Sequence, residues 1–345
     1  MTTTIGEPFR CEELSAAEVL VGLGRCTLAV HDPPWSSLAR HVPIPARVVS
    51  AGDMELAHLD ALAAVDDGAE VVVGLGGGTA LDTAKHLAWR RGLPLVQIPS
   101  ITSVDAAFTD AVGVRVDGRV RYVGRVVPEL VVLDVELVRA APPHLNRAGV
   151  GDVLSCHTGL ADWRAAVDAG HGPAWDEGLA GLGRGLLDEL EAAATDIRTV
   201  TTAGVRFLAD AYRRIGAACA WAGHSRFEEG SEHFWAYALE HATGTRHVHG
   251  ELIALGVVAL ATVQGHDPDR AVRIVEATGV RAHPADLAIT QADFTAALLG
   301  LRADARAEDL DIGVADLRDL TVDDARDAWS RVTTLPRHTL DGPPR

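Results

Sequence analysis

The 345-residue chain has 48% hydrophobic residues, 23% charged residues and a formal net charge of −17, the composition of a globular protein long enough for two domains. That charge, with no basic run to offset it, excludes nucleic acid as a partner. The longest apolar run, near Leu252 to Val263, is too short for a bilayer and excludes membrane insertion.

The opening MTTTIGEPFR has no apolar segment and predicts no signal peptide. Residues 25–32 read as a short strand ending in Asp32, and Val48 and Val49, after Pro43 and Pro45, read as another. Leu56 to Val65 has helical spacing. Val71 to Lys85, VVVGLGGGTALDTAK, is a buried strand, a glycine turn and a helix start. Leu95–Ile98, Val112–Val116, Val120–Val123 and Leu130–Leu133 follow as strands. Asp117–Gly118 makes the second and third of these a hairpin. Alternating strands and helices predict a doubly wound α/β domain with a parallel sheet over residues 1–145. Beyond Pro143 the segments 147–169, 174–196, 200–222, 231–242, 248–264, 267–278, 291–302 and 322–332 all show helical spacing. Residues 146–345 are therefore expected to form an all-α domain, with LPRHTLDGPPR as a loose tail. Cys11, Cys26, Cys156 and Cys219 are scattered without a CxxC pair and read as reduced thiols in a cytoplasmic protein.

The glycine turn carries the first chemistry. Gly74, Gly76, Gly77 and Gly78 exceed what a tight turn needs. A helix N-terminus behind them offers unpaired N–H groups and a positive dipole end to a phosphate. The pattern is neither GxGxxG, since Thr79 occupies the third glycine position, nor a P-loop. Lys85 is the sole lysine in the chain; its retention among arginines suits a place where a guanidinium does not fit, or is chance.

Three islands in the helical half carry the second chemistry: GVGDVLSCHTGLADW (149–163), EGSEHFWAYALEH (229–241) and RHVHGELIALG (246–256). Each offers a metal ligand: Asp152, His233 and His249. Two imidazoles and one carboxylate with an open fourth position suit Zn²⁺ or Fe²⁺ as a Lewis acid. Gly151 and Gly250 flank two of these ligands and let helices approach closely.

On these pieces the chain resembles the sn-glycerol-1-phosphate dehydrogenase family, within the superfamily of iron-containing alcohol dehydrogenases and 3-dehydroquinate synthases. The matching motifs are GGGTALDTAK, PSITSVDAAFT, G-D-x-x-S-x-x-T-x-x-x-D-W at 151–163, G-S-E-H at 230–233 and H-G-E at 249–251. The resemblance implies a dehydroquinate-synthase-like fold and a metal-dependent, NAD- or NADP-linked dehydrogenase acting on a small-molecule alcohol. It implies that Asp152, His233 and His249 hold the metal, usually zinc, with Fe²⁺ or Ni²⁺ as alternatives. It places the cofactor pyrophosphate on the segment from Gly78 through Thr79 to Asp82, next to Gly76 and Gly77 of the phosphate-binding turn. Ser100, Thr102 and Ser103 match a second cofactor segment, and Thr109 matches a further cofactor contact. Asp105 matches a substrate contact, shared with Asp152. A homo-oligomer, dimer or larger, is expected.

Two departures stand out. Tyr237, one turn after His233, stands where the family has a substrate-contacting histidine, and a phenol cannot become cationic. The family's arginine-rich segment is not evident in DIGVADLRDLT. Tyr237 is a candidate proton relay and catalytic residue. Phosphate on the substrate would have to meet arginine or histidine, with Arg125 and Arg246 as candidates. Asp32, ending its strand, is expected near the adenine ribose, where an acid favours NAD over NADP. Two rival readings are a 3-dehydroquinate-synthase-like cyclase and an inactive cofactor-binding paralogue. The cyclase is disfavoured because DAAFTDAVGVRV lacks the lysine of its GGKTG segment.

Overall fold

A computed structural model describes residues 10–40, 42 and 45–338. The opening segment and most of the expected tail lie outside them. The chain divides into two compact units. Among the described residues, one contains those up to Pro142 together with Ala209–Gly223; the other contains Pro143–Leu208 and those from His224 onward.

The first unit is built on a parallel six-stranded sheet. In chain order its strands are β1 (Arg10–Glu12), β2 (Cys26–Val30), β3 (Arg47–Ser50), β4 (Val71–Gly76), β5 (Leu95–Pro99) and β8 (Leu130–Val132). They lie side by side as β1-β8-β5-β4-β2-β3. The central strands are apolar on both faces because both faces are covered, as parallel sheets require. Leu28, Val30, Val73, Leu75 and Ile98 pack on one side with Ala16 and Leu20 of helix α1 (Ala16–Gly22). Ala29, Val72 and Leu95 face Ala84, Leu87 and Ala88 of helix α4 (Gly78–Arg91) on the other. Helices α2 (Pro34–Leu38) and α3 (Leu56–Ala63) complete the strand connections.

The hairpin forms a sheet of its own, β6 (Ala111–Val116) against β7 (Arg119–Arg125). Its turn residues Asp117 and Gly118 both have positive φ, 52° and 77°, the twist that suits a two-residue hairpin. Three short elements escape the periodicity argument, β1, α1 and α2, because each is too short to show a repeat.

The second unit is helical in every named element, as expected. Helix α5 (Val135–Arg139) still belongs to the first unit; the helices of the second are α6 (Pro143–Arg147), α7 (Val150–Leu154), α8 (Cys156–Asp168), α9 (Glu177–Arg198) and the first part of α10 (Thr202–Ala222). There follow α11 (Ser231–Thr243), α12 (His249–Gln264), α13 (Pro268–Thr278), α14 (Gln291–Ala307), α15 (Val314–Leu317) and α16 (Val322–Val332). Helix α12 is buried along nearly its whole length, so it is the hub and not a surface helix. Helix α9 instead buries one stripe, Leu179, Gly183, Leu186, Leu190, Ala194 and Ile197.

Three expectations need correction. The segment 147–169 is not one helix but the end of α6, then α7 and α8. The break falls at Ser155, whose Oγ donates to the Asp152 carbonyl at 2.8 Å and competes with the helical ladder. The far half of α10 belongs to the sheet unit, where Tyr212 Oη donates to the Thr102 carbonyl at 2.9 Å. The start of the tail is anchored: Leu335 is buried, and Asp286 accepts from Arg337 Nε at 2.9 Å and from the His338 amide at 2.6 Å.

A polar lock ties strand β2 to helix α4. Asp67 accepts from Arg91 Nη2 at 2.6 Å, from Thr27 Oγ1 at 2.6 Å and from the Ala69 amide at 3.0 Å. Burial alone would raise its carboxyl, but these hydrogen bonds and the Arg91 charge outweigh it and hold the group at about 2. A depressed folded value stabilises the fold above the unfolded value near 4 and is lost as pH falls toward 2. Denaturant unfolding should therefore show wild type losing about 2 kcal/mol across that window, a loss that Asp67→Asn does not share. Equal acid sensitivity of the two proteins would contradict the lock.

Candidate metal centre and cofactor turn

Three ligand atoms converge within the helical unit. Asp152, His233 and His249 each present one donor atom within 4.8 Å of the others. Asp152 lies in the first turn of α7, His233 in the first turn of α11, and His249 opens α12. The approach of α7 to α12 depends on glycine. A Cβ on Gly151 would lie 2.3 Å from the Gly250 carbonyl oxygen and 2.6 Å from its Cα. Backbone meets backbone there, and Asp152 Oδ1 comes to 3.4 Å from His249 Nε2. Asp152 and His233 are buried; the His249 side chain, at 34% exposure, marks the open side of the site.

The surroundings suit a cation. His233 Nδ1–H donates to Glu232 Oε1 at 2.9 Å, which fixes the tautomer and leaves Nε2 as the ligand atom. Glu232 also accepts from the Gly230 amide at 2.7 Å. Behind it Asp162 accepts from the Ser231 amide at 2.6 Å, and burial beside the charge of Glu232 pushes the Asp162 carboxyl up to about 6. Burial disfavours charge on His233, yet the Glu232 hydrogen bond and the charges of Glu229, Glu232 and Glu228 lift it to about 10. A field that holds a buried imidazolium equally favours a divalent ion. Two imidazoles and a carboxylate with one open side fit Zn²⁺ or Fe²⁺.

Tyr237 stands one turn beyond His233, with ring centroids 6.1 Å apart. Its Oη donates to Glu229 Oε1 at 3.0 Å, and Ser225 Oγ donates to Glu229 Oε2 at 2.9 Å.

In the sheet unit, the glycine turn sits at the C-terminal end of β4, as α/β ligand sites do. Gly77 is the N-cap of α4, with no side-chain cap on the helix. The turn is packed from below: Cβ atoms on Gly76, Gly77 and Gly78 would meet Ala80, Ile101 and Val104 at 2.8, 2.7 and 2.8 Å. Gly76, with φ of 153° and the Ala80 Cβ so near, is required by the fold itself, and side chains at Gly77 and Gly78 would have to displace Ile101 and Val104. Ser100, Thr102 and Ser103 are buried beside the turn, and the Ser100 amide donates to the Gly76 carbonyl at 2.9 Å. Thr79 gives its carbonyl to Thr83 Oγ1 at 2.8 Å.

Lys85 is buried and donates to Thr109 Oγ1 at 2.9 Å and the Ala111 carbonyl at 3.0 Å, with Asp82 at 3.2 Å. Three converging acceptors in a tight space explain a lysine where every other cation of the chain is arginine. Asp82 and Thr109 are thereby joined through Lys85. Asp105 opens a short 3₁₀ turn, Asp105–Phe108. Asp32 is exposed just past β2 and accepts from Ser36 Oγ at 2.7 Å. Arg125 bonds both oxygens of Asp110 at 3.1 Å, and Arg246 is exposed between α11 and α12.

Sequence reasoning passed over four residues. Glu232 precedes a ligand directly, and Asp162 lies within a quoted motif. Glu229 and Tyr237 are separated by a loop and a helix turn, a spacing with no repeat to reveal it. His31 Nδ1 accepts from the Gly77 amide at 3.3 Å; its place beside Asp32 was the available clue.

Fold and site together define a protein of the iron-containing alcohol dehydrogenase class, and residues 17–142 match the family described as iron-containing alcohol dehydrogenase. The glycerol-1-phosphate dehydrogenase [NAD(P)+] of Pyrobaculum neutrophilum is 31% identical over 252 residues, which is 71% of this chain and 73% of that one. The chain belongs to the glycerol-1-phosphate dehydrogenase family, for which NAD(P) and a metal are expected. The enzyme of that name from Sulfurisphaera tokodaii is 29% identical over 222 residues, and the match spans 63% of each chain. A probable glycerol dehydrogenase from Sinorhizobium meliloti shares the fold, with a TM-score of 0.73 and 22% identity over 95% of this chain and 97% of that one.

Asp152→Asn, His233→Ala and His249→Ala should each lower bound metal in the purified protein. Glu232→Gln should weaken metal affinity by about 10- to 100-fold through the lost orientation of His233. Gly151→Ala should do so without touching a ligand, by forcing α7 away from α12. Elemental analysis with competitive chelator titration measures this, and full affinity in all five variants would refute the assignment.

Proposed function

We propose that the protein is a metal-dependent, NAD(P)-linked dehydrogenase that interconverts a small alcohol or polyol, phosphorylated or not, with its carbonyl form. The observation that carries this reading is the convergence of Asp152, His233 and His249 within 4.8 Å, open on the His249 side. When bound, the metal supplies Lewis-acid polarisation of a carbonyl oxygen and the nicotinamide supplies or accepts the hydride.

The chain's own residues do the rest. Asp152 offsets one unit of the cation's charge. Glu232 holds the His233 ring so that Nε2 is left for the metal. Tyr237, already donating to Glu229, is placed to pass a proton between a bound hydroxyl and that carboxylate. We assign Gly76, Gly77, Gly78, Thr79, Asp82, Ser100, Thr102, Ser103 and Thr109 to the cofactor, Asp105 to the substrate, and zinc as the metal. Asp32 favours NAD over NADP by repelling a 2′-phosphate. No disulfide joins Cys11, Cys26, Cys156 and Cys219, which suits a reducing compartment. No helix among the described residues is long and apolar enough to cross a membrane.

Oxidation of NADH and NADPH, followed by absorbance against a panel of small aldehydes and ketones, tests the reading. Turnover should vanish after chelator treatment and return with Zn²⁺ or Fe²⁺, and Asp32→Ala should gain relative activity with NADPH. Reduction that survives complete metal removal would overturn the mechanism.

A further inference from the structure

We infer that Lys85 is a positioning residue for the cofactor: it turns the Thr109 hydroxyl so that its proton is offered to an oxygen of the bound dinucleotide. This deepens the dehydrogenase reading and rests on the assignment of Thr109 to the cofactor. Lys85 is the sole lysine of the chain and lies buried on α4. Its Nζ meets three acceptors: Thr109 Oγ1 at 2.9 Å, the Ala111 carbonyl at 3.0 Å and Asp82 Oδ1 at 3.2 Å. An ammonium has three N–H donors and nothing to accept with, so each acceptor takes one of them. Burial pushes the Asp82 carboxyl up, and the Lys85 charge works against that rise. Gly113 of β6 leaves room for the group, since a Cβ there would lie 3.3 Å from Asp82 Oδ2.

The consequence falls on Thr109. A hydroxyl has one proton to give and lone pairs to accept with. Facing Lys85 it accepts, so its own proton has to be given elsewhere. Among the described residues Thr109 Oγ1 meets no acceptor for that proton, and the side chain is only half-buried. The backbone around it is held on both sides. Downstream, Lys85 holds the Ala111 carbonyl, and the Val126 amide donates to the Asp110 carbonyl at 2.8 Å. Upstream, the Ser100 amide donates to the Gly76 carbonyl at 2.9 Å, and Ile101 and Val104 lie against Gly77 and Gly78. Thr109 therefore stands on the one connection, from β5 to β6, that also covers the glycine turn. Pinning the hairpin to α4 needs only the Ala111 and Asp82 contacts; the third donor, given to a half-buried hydroxyl, is what the cofactor role explains.

Titration of NADH, or of NADPH if wild type prefers it, into the purified protein tests this through nicotinamide fluorescence and a double-mutant cycle. Thr109→Val and Lys85→Met should each weaken binding about fivefold to tenfold, the scale of one lost hydrogen bond. The double variant should bind about as weakly as Thr109→Val alone, because Lys85 then has no hydroxyl to orient. Losses that multiply in the double variant would mean that Lys85 acts by packing, independently of Thr109, and overturn the inference. Full affinity in Thr109→Val overturns it too, an arm that stands even where Lys85→Met does not fold, and so does full affinity in Lys85→Met. These outcomes leave the dehydrogenase reading intact. Wild type that binds neither NADH nor NADPH overturns the inference and that reading together.

Discussion

At Gly151 and Gly250 helices α7 and α12 meet backbone to backbone, and this close approach brings Asp152 to within 3.4 Å of His249. A methyl group at residue 151 has no room, since its nearest neighbour would be a carbonyl oxygen that cannot rotate away. Helix α12 is buried almost throughout and cannot shift without disturbing the unit around it. The ligand pair is consequently set by packing and not by the ligands' own attraction. That is the condition for a site that exists before its ion arrives.

Electrostatics completes what packing begins. Glu232 serves two tasks at once: it caps the start of α11 through the Gly230 amide and orients His233 through Nδ1. Asp162 supports the same helix start one amide further on. The result is a shell of carboxylates around a buried imidazole, costly unless a positive charge sits among them. The carboxylates favour positive charge on His233, and a divalent ion held by Asp152, His233 and His249 would meet the same field.

Much of this was legible in the sequence where a physical constraint repeats. Strands β4 and β5 show continuous apolar runs because both faces are covered, and α9 shows its stripe because only one face is. The three metal-ligand islands were visible because Asp, His and Gly occur together in otherwise apolar helices. What stayed hidden was not periodic. Strand β1 is three residues of edge strand with half-exposed side chains. The break at Ser155 involves one hydroxyl bonding back to a carbonyl, without glycine or proline to announce it. The Tyr237–Glu229 pair and the His31 contact to Gly77 join positions whose separation in sequence encodes nothing. The glycines of the turn were read as room for a phosphate. At Gly76 the fold itself also demands glycine, through a φ of 153° and the nearby Ala80 Cβ.

The central claim is that two imidazoles and a carboxylate, on three separate helices, hold a divalent ion. X-ray absorption at the metal edge of the zinc-loaded protein measures this most directly. The account predicts only nitrogen and oxygen neighbours at about 2.0–2.2 Å, with the outer-shell scattering of two imidazole rings. Sulfur at about 2.3 Å, or a spectrum without imidazole scattering, would contradict it.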